Sequence, residues 1–360
     1  MTINCYFSAF QIVNGIIYYS MIDFNGLFSY DIEKGESRFI SLFEKEKISE
    51  NELHLDSVLY KNSIIFIPYN GRYLSIYNTD TGKMSYIEMS KGKDCSYYKG
   101  IIYKRKLWLI PQVISSDNFD RFNICTIDLE TWNIERYAEI DRFYTNSAQG
   151  IFSFGACSYQ NKLYIALYGK NSILSINMEN NQTERIVIQK INGLSTIDII
   201  DDYFWISENN TGNIFITDIN GNIKRVIGEE YSDRHYVRMF NCIRKLGDMI
   251  YVFPQNSDSI YCVKDVLKTV DTIEELHRRK RYSYCTGEIL EYNNELFVAP
   301  VEYNRMISIG IDGELMFYDI KIDVDVLKNE KVEYYEHLDI GMYEEGEISL
   351  KEYIESICKQ

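Results

Sequence analysis

The chain has 360 residues and a formal net charge of −15, with 46% hydrophobic and 25% charged residues. That composition excludes a disordered chain, and the length is enough to bury a sizeable core. The acidic balance disfavours non-specific binding to nucleic acid or to an anionic membrane, because both need a basic field.

The 31 Tyr and 18 Phe, set against only 4 Pro, lean the composition towards strand. The 8 Cys are scattered: Cys5, Cys95, Cys125, Cys157, Cys242, Cys262, Cys285 and Cys358, with no C-x-x-C pair. Such cysteines read as small buried hydrophobes in a reducing compartment, without disulfides. Met1 to Val13 has no basic leader region, and no apolar run approaches the ~18 residues of a membrane span. A cytoplasmic location is the expectation.

Taken in chain order, the predicted elements repeat. Ile16–Ser20 is a short apolar strand, followed by Leu27–Asp31, an alternating strand that ends in an acid. The pair returns as Ile64–Pro68 with Leu74–Asn78, Leu107–Pro111 with Ile124–Asp128, and Leu163–Leu167 with Leu174–Asn177. It returns again as Phe204–Glu208 with Ile214–Asp218. Ile250–Pro254 and Leu296–Pro300 are followed by weaker copies ending at Asp265 and Asp312. All four prolines stand at the end of the first strand of the pair, where no ladder N–H is needed, and Ser20, Leu167 and Glu208 hold that place elsewhere. The terminal acids and amides are spaced by 47, 50, 49, 41, 47 and 47 residues. Asp and Asn at such a place bond the backbone two residues on and open a turn.

With a further strand before and after each pair, every unit reads as four strands, A to D, in about 47 residues. Seven such units over residues 1–323 predict an all-β fold, a seven-bladed β-propeller of four-stranded antiparallel blades. Two departures are expected. Blade 3 has a long B–C loop over 112–121. In blade 6, Val266, Val270 and Ile273 fall at helical spacing, so a short helix replacing or preceding the outer strand is expected within 265–277. The remaining residues, 324–360, form a second, acidic segment with ten acids and four lysines. There Ser349 and Glu352 make a capping box and Leu350, Ile354 and Ile357 one stripe, which predicts a short C-terminal amphipathic helical tail.

The repeat resembles the Kelch-like and quinoprotein-like groups of propellers, whose blades also run apolar strand, loop, strand, Asp turn, strand. The Kelch double glycine is replaced here by Pro68, Pro111, Pro254 and Pro300. The resemblance implies the fold and carries over no site residues.

Chemistry-bearing motifs are few. His54, His235, His277 and His337 lack metal spacing, Ser90-Lys91-Gly92-Lys93 has no companion motif, and no metal or other cofactor is expected. One distribution stands out. The B–C and D–A connections of a blade share one end, because its strands alternate in direction. Arg72, Arg121, Arg142, Arg234, Arg238 and Arg305 map to these connections, with Tyr69, Tyr303 and His235 among them. Arg278, Arg279 and Arg281 lie there too, so nine of the 15 arginines do. A guanidinium fork suits carboxylate or phosphate, and Tyr offers a flat face with a hydroxyl. The reading is a non-catalytic binding or scaffold protein holding an anionic peptide or small molecule. The competing view is that these arginines pair with Glu229, Glu230, Asp233 and Glu302 of the same loops. The alternative function is a propeller hydrolase or lyase acting on a glycan or peptide, with His235 or His54 as acid–base.

Overall fold

The computed structural model describes residues 2–4, 7–22, 24–46, 52–89, 95–114, 123–137, 151–209, 211–228, 240–255, 259–263, 267–272, 285–300 and 305–323. The strands are as follows. Before blade 1 comes β1 (Thr2–Asn4). Blade 1 is β2 (Phe7–Val13), β3 (Ile16–Met21), β4 (Leu27–Asp31) and β5 (Glu36–Ser41). Blade 2 is β6 (His54–Tyr60), β7 (Ser63–Pro68), β8 (Tyr73–Asn78) and β9 (Lys83–Glu88). Blade 3 is β10 (Tyr97–Tyr103), β11 (Lys106–Pro111), then, after the short β12 (Val113–Ile114), β13 (Cys125–Asp128) and β14 (Ile134–Arg136). Blade 4 is β15 (Ile151–Tyr159), β16 (Lys162–Leu167), β17 (Ser172–Asn177) and β18 (Thr183–Val187). Blade 5 is β19 (Leu194–Ile200), β20 (Tyr203–Glu208), β21 (Ile214–Thr217) and β22 (Ile223–Ile227). Blade 6 is β23 (Phe240–Leu246), β24 (Met249–Pro254), β25 (Ser259–Val263) and β26 (Leu267–Thr272). Blade 7 is β27 (Cys285–Tyr292), β28 (Glu295–Pro300), β29 (Arg305–Gly310) and β30 (Leu315–Asp319), and β31 (Lys321–Asp323) follows. Each blade is an antiparallel meander in sequence order. The chain is a seven-bladed β-propeller.

The turns follow from the residues foreseen for them. Asp31 Oδ1 accepts from the N–H groups of Glu33 and Lys34, Asp128 Oδ1 from Glu130 and Thr131, and Asp218 Oδ1 from Asn220 and Asn222. Asn78 and Asn177 do the same for Thr81 and for Glu179 and Asn180. Each carboxylate or amide satisfies donors that the reversing chain leaves open. The four prolines all close strand B. Pro68, Pro111 and Pro254 are the last residues paired with strand A, opposite His54, Tyr97 and Phe240. In blades 1 to 6 the register of strand A shifts immediately beyond that last pair, a recurring β-bulge that no residue pattern had announced.

Two expectations are corrected. Residues 267–272 form β26 and not a helix; Thr269 faces Tyr261 and Asp271 faces Ile260, so Val270 is the extra residue of a bulge. That extra residue breaks the period of two and mimics helical spacing, while β-branched Thr269, Val270 and Thr272 favour the extended chain. The second correction concerns the fold as a whole. Among the described residues there is no helix, so the fold is all-β and the C-terminal helical tail is withdrawn from it. A capping box and a three-residue stripe are local signals, and a short helix gains most of its stability from packing that such signals do not specify. Residues 324–360 lie outside the described residues.

The strands fall into two compact units. Unit 1 holds blades 1 and 2 and most of blade 7; unit 2 holds blades 3 to 6. In unit 1, blade 7 packs on blade 1 through Phe297, Ala299 and Met306 against Phe7, Phe10, Tyr19 and Phe28. β1 pairs with β31, joining Thr2 to Asp323 and Asn4 to Lys321. The innermost strands of blades 1 and 2 are stitched by side chains: Ser57 Oγ donates to the Phe10 carbonyl at 2.9 Å and Gln11 Nε2 to the Ser57 carbonyl at 2.9 Å. In unit 2, Val113 and Ile114 of the long B–C connection add β12 to the inner edge of blade 4. Gly155 of blade 4 lies against blade 5 so closely that a Cβ there would stand 2.7 Å from the backbone of Thr196 and Ile197. The blade cores are filled by residues such as Trp108, Leu163 and Leu174 in one cluster and Phe204, Ile206 and Tyr164 in another.

Candidate functional site

Within blade 2, the start of β6, the end of β7, the start of β8 and the end of β9 share one end. The B–C loop 69–72 lies there, and it carries two of the sequence-derived residues, Tyr69 and Arg72. The loop is fixed by its main chain. The Tyr69 and Gly71 amides donate to the Leu53 carbonyl at 2.7 and 3.3 Å, and the Asn70 amide to Glu52 at 3.2 Å. In return the Gly71 and Arg72 carbonyls accept from Cys95 and Met89 at 2.8 and 2.9 Å.

A buried carboxylate completes the clamp. Glu46, 5% exposed, accepts from the Arg72 amide on both oxygens at 2.8 and 2.9 Å and from the Tyr73 amide at 2.7 Å. Its oxygen would stand 2.7 Å from a Cβ at position 71, so Gly71 is needed for the close approach. Asn25 plays the matching part in blade 1, where its amide oxygen accepts from the Phe43 N–H at 3.0 Å. In blade 5, Glu208 accepts from the Asn192 amide at 2.9 Å, from Thr211 Oγ1 at 2.5 Å and from Asn213 Nδ2 at 3.1 Å. Sequence reading missed these loop holders as such. Glu208 had nonetheless stood out as a polar residue in the place that proline takes in other blades.

His54 lies where β6 begins. It is fully buried, its ring centroid 4.5 Å from that of Phe43 and 5.4 Å from that of Phe66, and neither ring nitrogen has a hydrogen-bond partner. Its carbonyl accepts a hydrogen bond from Ser8 Oγ. Burial pushes the imidazole pKa down to about 3. Just before it, burial raises the Glu52 carboxyl above the usual carboxylate range.

Arg305 opens β29 directly opposite Asp319 of β30, and its Nε binds the Asp319 carboxylate. That carboxylate is a cross-strand neighbour, and Glu302 of the adjoining loop lies outside the described residues. Arg121, Arg142, Arg234, His235, Arg238 and Tyr303 lie outside the described residues, as do Arg278, Arg279 and Arg281. Among the described residues no group of three or more His, Cys, Asp or Glu is placed to hold a metal ion. Cys95, Cys125, Cys242 and Cys262 are buried, and burial pushes the Cys157 thiol up to about 12.

No family model and no curated protein matches the chain. Solved structures do. A catalytically inactive virginiamycin B lyase from Staphylococcus aureus with quinupristin aligns at a TM-score of 0.61 and 13% identity, over 84% of this chain and 95% of that one. YCF48 bound to D1 peptide aligns at a TM-score of 0.58 and 11% identity, over 88% and 93%. The computationally designed Ika8 protein aligns at 0.56 and 10%, over 88% and 87%. At these identities the likeness is one of fold alone.

Proposed function

We propose that this propeller is a non-catalytic binding protein whose blade connections present arginine and tyrosine to an anionic peptide or small molecule. Tyr69, Arg72 and Arg305 are the described members of that set, and Arg121, Arg142, Arg234, His235, Arg238 and Tyr303 are the remainder. The observation that carries the reading is the clamped 69–72 loop. Its backbone is already bonded to both flanking connections, so little ordering entropy remains to oppose a ligand there.

The enzymatic alternative with His54 as acid–base draws no support from this geometry. An imidazole that titrates near 3 and is sealed from solvent is neither proton donor nor accessible base at neutral pH. Propellers serve as both enzymes and binding modules, as the lyase and the peptide-bound neighbour illustrate for their own chains, so fold does not choose.

The test is a thermal-shift panel of phosphorylated sugars, nucleotides and acidic peptides on the wild-type protein and on Arg72→Ala/Arg305→Ala. The expected result is a stabilising shift by one anionic class that weakens with salt and is lost in the double variant. Exposed charge attraction is screened over about 8 Å at physiological ionic strength, which is why salt should matter. An unchanged shift in the double variant, or none with any anion, would sink the proposal.

A further inference from the structure

His54 sits where three things meet. The first is the seam between blades 1 and 2, where Ser8 Oγ bonds the His54 carbonyl and Ser57 Oγ, three residues on, bonds the Phe10 carbonyl. The second is an apolar cluster that includes Ala9, Leu27, Phe43, Leu53, Ile64 and Phe66. The third is the clamped loop, because the Glu52 and Leu53 carbonyls that hold Tyr69, Asn70 and Gly71 immediately precede His54.

Among the described residues, no group is placed to stabilise a second proton on the ring. β2 and β7, which flank it, carry no ionisable side chain. The connection from blade 1 brings Glu44, Lys45 and Glu46. Glu44 and Lys45 are exposed, and the Glu46 carboxylate is turned to the Arg72 and Tyr73 amides. On its own strand and approach stand Asp56, itself buried, and Glu52. Desolvation alone sets the state of the imidazole.

We propose that the seam between blades 1 and 2 is an acid-sensitive latch: a proton reaches His54 only when the start of β6 parts from Phe43 and Phe66, and that parting releases the Tyr69–Arg72 loop. The sign follows from the direction of the shift. The folded-state pKa lies below the free-imidazole value of about 6.5, so the closed seam has its full stability above that pH and loses it as pH falls towards 3. Between pH 7.5 and 5 the population of the open seam rises about 30-fold, from the proton affinity of a free imidazole alone. Loss of ligand grip on opening rests on the anion-binding reading above; the opening itself does not.

Native-state hydrogen exchange, corrected for intrinsic rates, tests this on the full chain at pH 7.5, 6 and 5. The expected result is a rise of about 30-fold in the opening equilibrium at the amides of Asp56, Tyr69 and Gly71, and no such rise in His54→Phe. A flat wild-type profile overturns the latch, and so does an equal rise in both proteins. Should His54→Phe not fold, NMR of the wild-type His54 ring decides instead. Absence of an ordinary titration near 6.5 in the closed state supports the latch, and a free titration there overturns it. Neither readout uses a ligand, so failure of the anion-binding proposal would be visible separately in the thermal-shift panel.

Discussion

Replacing Glu46 with alanine removes the acceptor for two main-chain donors, the amides of Arg72 and Tyr73. A buried donor left without a partner costs about 1–3 kcal/mol, so the pair sets an upper range of roughly 2–6 kcal/mol. Arg72 and Tyr73 are only half-buried, so water can replace part of the loss, and about 2–4 kcal/mol is the expected cost. The unfolding entropy of about 2.1 cal/mol/K per residue gives roughly 0.8 kcal/mol per degree for a chain of this length, so Tm should fall by about 3–5 °C. Glu46→Gln keeps one carbonyl oxygen for both amides but gives up the charge and the second acceptor, and should lose about half as much. Urea and thermal unfolding followed by circular dichroism measure both variants. If Glu46→Ala stays within about 0.5 kcal/mol of wild type, the carboxylate is not what holds the loop, and the preorganisation argued for it fails with it.

Three further outcomes are expected. Gly155→Val forces a side chain against the backbone of Thr196 and Ile197 and should destabilise by roughly 2–3 kcal/mol in the same unfolding assays, whereas exposed Val226→Thr should be near neutral. The hydrogen bond from Asn222, with its amide and Lys224 adding to it, lowers the Asp218 carboxyl to about 2. Its contribution is therefore present above the ordinary carboxylate pKa near 3.9 and lost as pH falls through about 2, so Asp218→Ala should flatten the acid limb of a stability profile between those values. Titration with a thiol reagent at pH 8 should leave Cys95, Cys125, Cys157, Cys242 and Cys262 unmodified in the native protein, as residue-resolved mass spectrometry would report, and modify them in urea.

The fold was legible because two chemical demands recur once per blade. An acid or amide is needed to reverse the chain after strand C, and a residue without a ladder donor suits the end of strand B. Asp31, Asn78, Asp128, Asn177 and Asp218 meet the first demand, and Pro68, Pro111, Pro254 and Pro300 the second. The strand-A bulges were not legible, since a bulge depends on pairing between strands and leaves no required residue type. β26 was misread for the same reason, its extra residue Val270 turning an alternating pattern into an apparently helical one. The site was legible only in part. Arg72 and Tyr69 were singled out by residue type, but Glu46, 26 residues away, looked like any acid in a polar loop. His54 was a candidate acid–base only under the alternative, enzymatic reading, because polarity in a sequence does not reveal that Phe43 and Phe66 close over the ring.

The pairing of β1 with β31 has a kinetic consequence. Thr2 cannot meet Asp323 until more than 300 residues of intervening chain have been made, whereas every blade meander closes through neighbours within its own stretch of about 40 residues. At a synthesis rate of roughly 5–20 residues per second, the first strand waits tens of seconds for its partner while later blades form behind it. During that wait the face of blade 1 that will receive Phe297, Ala299 and Met306 stands open, with Phe7, Phe10, Tyr19 and Phe28 uncovered. The nascent chain is thus most exposed to aggregation through its earliest residues, and chaperone protection would act there for longest.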